Sequence, residues 1–364
     1  MPSIHLNIQT ESEEVKQPIL RFVLSAIVFL FFTHYLFSQT YLSNYTRHTV
    51  NINTVQVFAG SASVKFFSIK SDILRVDYLP DSTSQSDSSF VVIKSTDGIM
   101  PTITETDSSL TIDFAEIAIR CKKYPIRFSF YSSMNKLLLS EPLSGGLATN
   151  GKQRIARFNL ATNDHFYGTG ERGTKLDKRG LDFDSYNVAI GGYQNALPNM
   201  NANIPFLASS NRYALYFDNT YRGHYDLGKT NSSIFTYTAD CGELTYYLIA
   251  QETVSEQLEK YTWLTGRQPL PPKWALGFIQ SKYGYRNETE ARSMIQTMRE
   301  KEIPCDAIIL DLYWFQHMGD ISWNTSAFPD PFGMMSDFLN QGIKTIVITE
   351  PYIIEPSSNY SMAA

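Results

Sequence analysis

The chain has 364 residues, of which 43% are hydrophobic and 18% charged, with a formal net charge of −5. This is a globular composition, long enough for two domains, and its acidic balance argues against a nucleic-acid or anionic-membrane partner. Aromatic residues make up 13%, with 22 Tyr and 23 Phe, enough to fill cores and also to offer ring faces to flat ligands such as sugars.

Lys16 and Arg21 precede the apolar run FVLSAIVFLFF (22–32), and Ser38 places a small residue before Gln39. A basic flank, an apolar stretch and a small residue form the pattern of a secretory signal cut near Gln39. Ile19 to Ser38 is nearly long enough to span a bilayer, so an uncleaved anchor is the alternative. In either case residues 1–39 are expected to direct export, periplasmic or extracellular, and to be the only part that meets a membrane. Cys121, Cys241 and Cys305 make neither a disulfide framework nor a metal spacing. Buried thiols are expected, with a Cys121–Cys241 bridge as the lesser alternative.

From 40 to 262 the pattern is β. Apolar residues alternate or cluster in 63–80, 88–95, 109–132, 136–142, 154–161, 211–219 and 242–251, separated by Ser, Asp, Asn, Gly and Pro. Many short strands with frequent turn signals and hardly any helical period predict an antiparallel sandwich.

The character changes at YTWLTGRQPLPPKW (261–274), where Pro269, Pro271 and Pro272 punctuate a linker, so a second domain is expected from 263. WALGFIQS (274–281) reads as a short buried strand. Asn287, with Glu290 three residues on, resembles a capping box. Ala291, Met294, Ile295 and Met298 then recur at helical spacing up to Pro304. DAIILDLYWF (306–315) reads as the next strand, followed by the polar loop 316–331. A second helix carries Met334, Met335 and Phe338 on one face and stops at Gly342, and IKTIVITEPYI (343–353) is the third strand. Strand–helix alternation with continuous apolar strands predicts parallel βαβ units.

In such architectures ligands bind at the carboxyl ends of strands, where Tyr283, Asp311 and Glu350 fall. Asp311 is the sharpest of these, since desolvating an unpaired carboxylate inside an apolar strand is costly. Either it has a protein partner, or the strand ends there and the carboxylate faces a ligand.

LTGRQPLPPKWALGFIQSKYGYRNETE (264–290), IPCDAIILDLYWF (303–315) and FYGTGER (166–172) resemble glycoside hydrolase family 31, the α-glucosidase and α-xylosidase family. HMGDISWNTSAFPDPFGM (317–334) and 343–353 are similar to a bacterial branch containing oligosaccharide 4-α-D-glucosyltransferases, and the resemblance extends over roughly 60–353. It implies a galactose-mutarotase-like β-sandwich at 40–262, followed at 263–364 by the first three βα units of an incomplete (β/α)8 TIM barrel. It implies a retaining enzyme on α-linked glucosyl units of an α-glucan or oligosaccharide, hydrolase or glucosyltransferase, with two carboxylates roughly 5 Å apart and no cofactor. α-Xylosidase activity and a non-catalytic carbohydrate-binding fragment are the alternatives.

The family nucleophile follows the fourth barrel strand, in a motif like W-x-D-x-x-E, which this sequence lacks. No catalytic residue is therefore assigned, and the chain is expected to be the N-terminal part of a longer enzyme and inactive alone. By resemblance, Asp311 accepts hydroxyls of the bound sugar, Tyr283 lines the same subsite, Leu312 is its apolar wall and Glu350 is a supporting acid. Trp314, His317 and Trp323 would contact an acceptor sugar or pack the loop. Glu171 and Arg172 are expected to hold the sandwich against the barrel, and Tyr193 and Gln194, in the loop 187–206, to reach over the barrel mouth.

Overall fold

In the strand Thr54–Ala59 every second side chain is buried, the period of two that a strand needs when one face lies on a core. The same logic recurs in Ser109–Asp113, Ile117–Lys123 and Ile234–Ala239. A computed structural model describes residues 39–82, 88–95, 98–188, 192 and 197–364. The export segment expected over 1–39 thus falls, except for Gln39, outside the described residues, as do Tyr193 and Gln194. Among the described residues no helix is long and apolar enough to cross a membrane.

The chain divides into two compact units, Met1–Arg267 and Gln268–Ala364. The first is built of eight-, six- and five-stranded sheets, with antiparallel pairing throughout, as between Ala62–Lys70 and Ile73–Leu79. Side chains of all three sheets meet in one core, among them Phe66 and Phe217, Phe158 and Phe235, and Phe128 and Phe130. Phe217 stacks on Tyr237 with ring centroids 3.8 Å apart, a geometry that adds to the area both rings bury. This is the antiparallel sandwich the alternation predicts. All three cysteines are free, with Cys121 and Cys305 buried, so the Cys121–Cys241 bridge does not form.

Glu141 is the exception inside this core. Its side chain is buried, with Oε2 accepting from the Phe128 N–H at 3.0 Å. Burial pushes its carboxyl up to about 8, because the charged form would lose its hydration.

Two segments depart from the expected β pattern. Residues 88–95 form no strand: the Ser89 hydroxyl accepts from the N–H groups of Val91 and Val92, at 3.1 and 3.0 Å. That local turn competes with sheet pairing. Residues Val254–Thr265 form a helix, α1, opened by a capping box between Thr253 and Glu256. Tyr261, Trp263 and Leu264 of α1 pack with Phe206, Ala214 and Tyr216 of the eight-stranded sheet. The expected division at 262/263 falls inside α1, whereas the compact units divide at 267/268.

The FYGTGER stretch is explained by backbone geometry. Gly168, Thr169 and Gly170 all have positive φ (93, 69 and 85°), and a Cβ on Gly170 would lie 2.1 Å from the Ala202 carbonyl oxygen. Only glycine fits there. Arg172 donates to the carbonyls of Asp184 and Pro198, the Thr169 hydroxyl and Asn203 Oδ1, at 2.7 to 3.0 Å. Its guanidinium also lies 3.8 Å from the centre of the Phe183 ring. Burial lowers its pKa to about 10. These partners all belong to the sandwich, so Arg172 ties sandwich segments to one another.

In the second unit the expected buried strand at 274–281 is mostly absent. Lys273–Leu276 is a 3-10 turn behind Pro272, and only Ile279–Gln280 pairs as a half-buried strand. The Pro272 carbonyl takes the Ala275 N–H at 2.9 Å, which starts the turn where a strand would continue. Helix α2, Glu288–Glu300, follows, with Ala291, Ile295 and Met298 buried. Asn287 Oδ1 caps it by accepting from the Glu290 N–H at 2.9 Å. The reciprocal half of the box is missing, because the Glu290 carboxylate takes Lys282 and the Arg286 N–H instead. Those two contacts hold it below the usual carboxylate range.

Strand Ala307–Leu310, helix α3 (Pro331–Asn340) and strand Lys344–Val347 complete the unit. The three strands pair in parallel, with Gln280 beside Ile308, Ile308 beside Thr345 and Leu310 beside Val347. Their carboxyl ends therefore face the same way.

Candidate functional site

The strand expected over 306–315 stops at Leu310, and Asp311 is the reason. Its Oδ1 accepts from the Leu312 N–H at 2.8 Å and caps a 3-10 turn, Leu312–Trp314. The chain therefore leaves the sheet at the carboxyl end of the middle strand, with Asp311 half-buried at the bend. Its Oδ2 makes no hydrogen bond among the described residues. One carboxylate oxygen thus has a protein partner, and the strand ends there with the other oxygen left open.

Tyr283 follows the first strand and is 76% exposed. Its ring stands edge-to-face to Tyr313 of the 3-10 turn, 6.4 Å away at 84°. Gly284 makes this pairing possible. Its φ is +69°, and a Cβ there would lie 2.0 Å from the Tyr313 ring. The Tyr283–Tyr313 pairing is thus set by a glycine one residue after Tyr283. Leu312 is half-buried against the core that contains Leu310 and Trp314.

Of the two expectations for Trp314, sugar contact or loop packing, the structure shows packing. It is 4% exposed, and its indole N–H donates to the Ile348 carbonyl at 2.8 Å. Phe315 and Trp323 meet its ring edge-on, at 5.3 and 5.2 Å. This bond ties the turn after the middle strand to the end of the third. Trp323 packs in turn against Phe328, so both tryptophans build the loop.

Glu350 is exposed and lines a cavity of about 170 Å³ with Phe315, Met318, Ile321, Thr349 and Ile353. The expected third strand, 343–353, ends at Val347, which leaves 348–353 as the wall of this cavity.

Its far side is set by Asp320, a residue that sequence reasoning missed. Asp320 is buried and accepts from the Ser357 hydroxyl at 3.0 Å, the Ser358 N–H at 3.0 Å, the Ser358 hydroxyl at 3.1 Å and the His317 N–H at 3.0 Å. Burial pushes its carboxyl upward, but these donors outweigh it and hold the pKa at about 2. The His317 ring lies against the same carboxylate, with Nδ1 3.3 Å from Oδ2, so His317 belongs to the clasp. Its Ser partners lie 37 and 38 residues away, and no local pattern could have revealed them. Among the described residues no group of three or more His, Cys, Asp and Glu side chains is placed to hold a metal ion.

Comparison with known proteins agrees with this geometry. Residues 63–226 match the family model of the glycosyl hydrolase 31 N-terminal galactose mutarotase-like domain. Residues 268–364 match that of the glycosyl hydrolases family 31 TIM-barrel domain. An α-glucosidase of Bacillus thermoamyloliquefaciens is 31% identical over 313 residues, which is 85% of this chain and 39% of that protein. An α-xylosidase of Lactiplantibacillus pentosus is 32% identical over 57% of this chain and 27% of its own length. Among solved structures, a Flavobacterium johnsoniae dextranase in complex with isomaltotriose superposes with a TM-score of 0.82 at 29% identity, covering 86% of this chain and 39% of that one.

Fold, motif order and relatives agree: the chain belongs to glycoside hydrolase family 31. It consists of the mutarotase-like sandwich and the start of the family's TIM barrel, and it spans about 39% of the length of the α-glucosidase and the dextranase.

Proposed function

We propose that this chain carries the sugar-recognition part of a retaining enzyme that hydrolyses or transfers α-linked glucosyl units. One observation carries the reading: at the carboxyl end of the middle parallel strand, Asp311 presents an oxygen without a protein partner among the described residues, and the exposed ring of Tyr283 meets Tyr313 of the turn that Asp311 caps. An ionised carboxylate accepts two or more hydroxyl hydrogen bonds, and only one arrangement of hydroxyls satisfies them together. The Tyr283 ring offers an apolar face to the C–H side of a pyranose, Leu312 adds an apolar wall and Glu350 supports the rim. Trp314 holds the turn that presents Asp311. In retaining chemistry one carboxylate attacks the anomeric carbon and a second serves as acid, then base; neither role is assigned to a residue of this chain.

Relatives named as α-glucosidase and as a dextranase bound to isomaltotriose support the choice of α-glucosyl units. The resemblance of 317–334 and 343–353 to 4-α-glucosyltransferases supports transfer as well as hydrolysis. Export of the protein is part of the proposal and rests on the basic-then-apolar pattern of residues 16–38.

The test is a titration of the chain, labelled with ¹³C in its tyrosine rings, with isomaltotriose. The Tyr283 resonance is expected to shift, and Asp311→Ala to weaken that response about a hundredfold, the scale of losing charged hydrogen bonds. A Tyr283 response that is absent, or unchanged in Asp311→Ala, refutes the assignment.

A further inference from the structure

A second cavity of about 170 Å³ lies on the sandwich, bounded by Ser88–Phe90, the turn Asp218–Tyr221 and the turn Gly242–Glu243. Phe90 is 96% exposed and Tyr221 51% exposed, which leaves two ring faces open at the cleft.

The turn that carries Tyr221 is built rigidly. Asn219 Nδ2 donates to the carbonyls of Cys241 and Glu243, at 3.0 and 2.5 Å, and Asn219 Oδ1 accepts from the Tyr221 N–H at 2.7 Å. Next to it, Asp218 Oδ1 accepts from the Tyr216 hydroxyl at 3.3 Å, while Oδ2 makes no hydrogen bond among the described residues. The Arg75 side chain, whose Nε donates to Asp77 Oδ1 at 2.8 Å, lies in the same lining.

Two exposed ring faces and a carboxylate acceptor around a small cavity match the needs of a polyhydroxylated ring. The C–H face of such a ring stacks on aromatics and its hydroxyls both donate and accept. A fatty chain would leave the open oxygen of Asp218 facing an apolar ligand, and a phosphate would meet the carboxylate charge.

We infer that this cleft is a second sugar-binding site, separate from the Asp311 rim, that takes one glucosyl unit of an α-linked oligosaccharide between Phe90, Tyr221 and Asp218. The choice of a glucosyl ligand rests on the proposed function. The site itself rests on the cleft. Holding a long substrate at a second point raises the effective concentration of its other units near the chain.

The ring-labelled chain tests this through the Tyr221 resonance. With isomaltotriose the Tyr221 signal is expected to titrate in the wild type and equally in Asp311→Ala, which separates this site from the rim. Phe90→Ala and Asp218→Asn are each expected to weaken the Tyr221 response about tenfold, the scale of one lost ring contact or charged hydrogen bond. They should leave the Tyr283 response unchanged. Phe90 is almost wholly exposed, so its removal does not burden folding, and an unchanged melting curve verifies that. A silent Tyr221 resonance overturns the inference even if Tyr283 titrates. So does a Tyr221 response that survives both substitutions or disappears in Asp311→Ala.

Discussion

The sandwich and the barrel unit use the same kind of apolar strand in opposite ways. In the sandwich, Tyr213–Phe217 is buried at every position and Leu244–Ala250 at all but the last, with the core on one face and residues of α1 packed on the other. In the barrel unit the middle strand Ala307–Leu310 is mostly buried, whereas its neighbour Lys344–Val347 is half-buried to exposed. Polar groups follow the same division. Buried Asp164 of the sandwich is met by the hydroxyls of Ser209 and Tyr213, and Asp77 by Thr245. At the barrel rim Asp311 keeps one oxygen without a protein partner and Tyr283 a bare ring. These sandwich carboxylates are met by protein hydroxyls, whereas Asp311 keeps one oxygen open, as the proposed sugar site requires.

The largest expected effect that sharpens this contrast is Phe217→Ala. It removes a stacked ring from the centre of the sandwich and should cost about 3–5 kcal/mol, read by denaturant unfolding. A loss below about 1 kcal/mol would contradict a close-packed sandwich core.

Glu141, a sandwich carboxylate with one buried oxygen that has no hydrogen bond among the described residues, makes the next prediction. Its pKa is about 8 folded against an ordinary 4.5, so between those values the folded state holds the proton and the unfolded state does not. Stability is therefore highest below the lower value and falls as pH rises, by about 1.4 kcal/mol per pH unit from this group alone. Unfolding midpoints recorded between pH 5 and 8 should decline, and Glu141→Gln should flatten the decline. An equal slope in the variant would show that Glu141 is not the group responsible.

Smaller, and confined to the barrel unit, is Gly284→Ala. The positive φ costs about 1–2 kcal/mol for a non-glycine residue, and the added Cβ meets the Tyr313 ring. The expected outcome is a several-fold weaker Tyr283 response to isomaltotriose. Unfolding of the sandwich, followed by amide exchange at Phe217 and Phe235, should not change. Unaltered sugar response would mean that the Tyr283–Tyr313 pairing is unimportant.

Much of this architecture is visible in the sequence because local signals and tertiary needs coincide. Asn287 before a helical apolar period marks α2, and the run at 307–310 between α2 and α3 is the strand that both neighbours cover. The 88–95 segment reads as a strand from its β-branched residues, but Ser89 offers a local turn and no sheet edge receives it. Helix α1 was concealed because only Gln257 and Leu264 of its residues are buried, although the Thr253–Glu256 box at its start was readable. At the site, strand position and residue type locate Asp311 and Tyr283. Composition could not separate Trp314 from a ligand-facing tryptophan, because its fate depends on the Ile348 carbonyl 34 residues away. Asp320 escaped for the same reason.

The most direct test of the central claim is a crystal structure of the chain grown with isomaltotriose. The account predicts a glucosyl ring at the carboxyl ends of the parallel strands, with a hydroxyl within hydrogen-bonding distance of Asp311 Oδ2 and the ring against Tyr283. A sugar that is well ordered elsewhere while Asp311 Oδ2 contacts only solvent would contradict it.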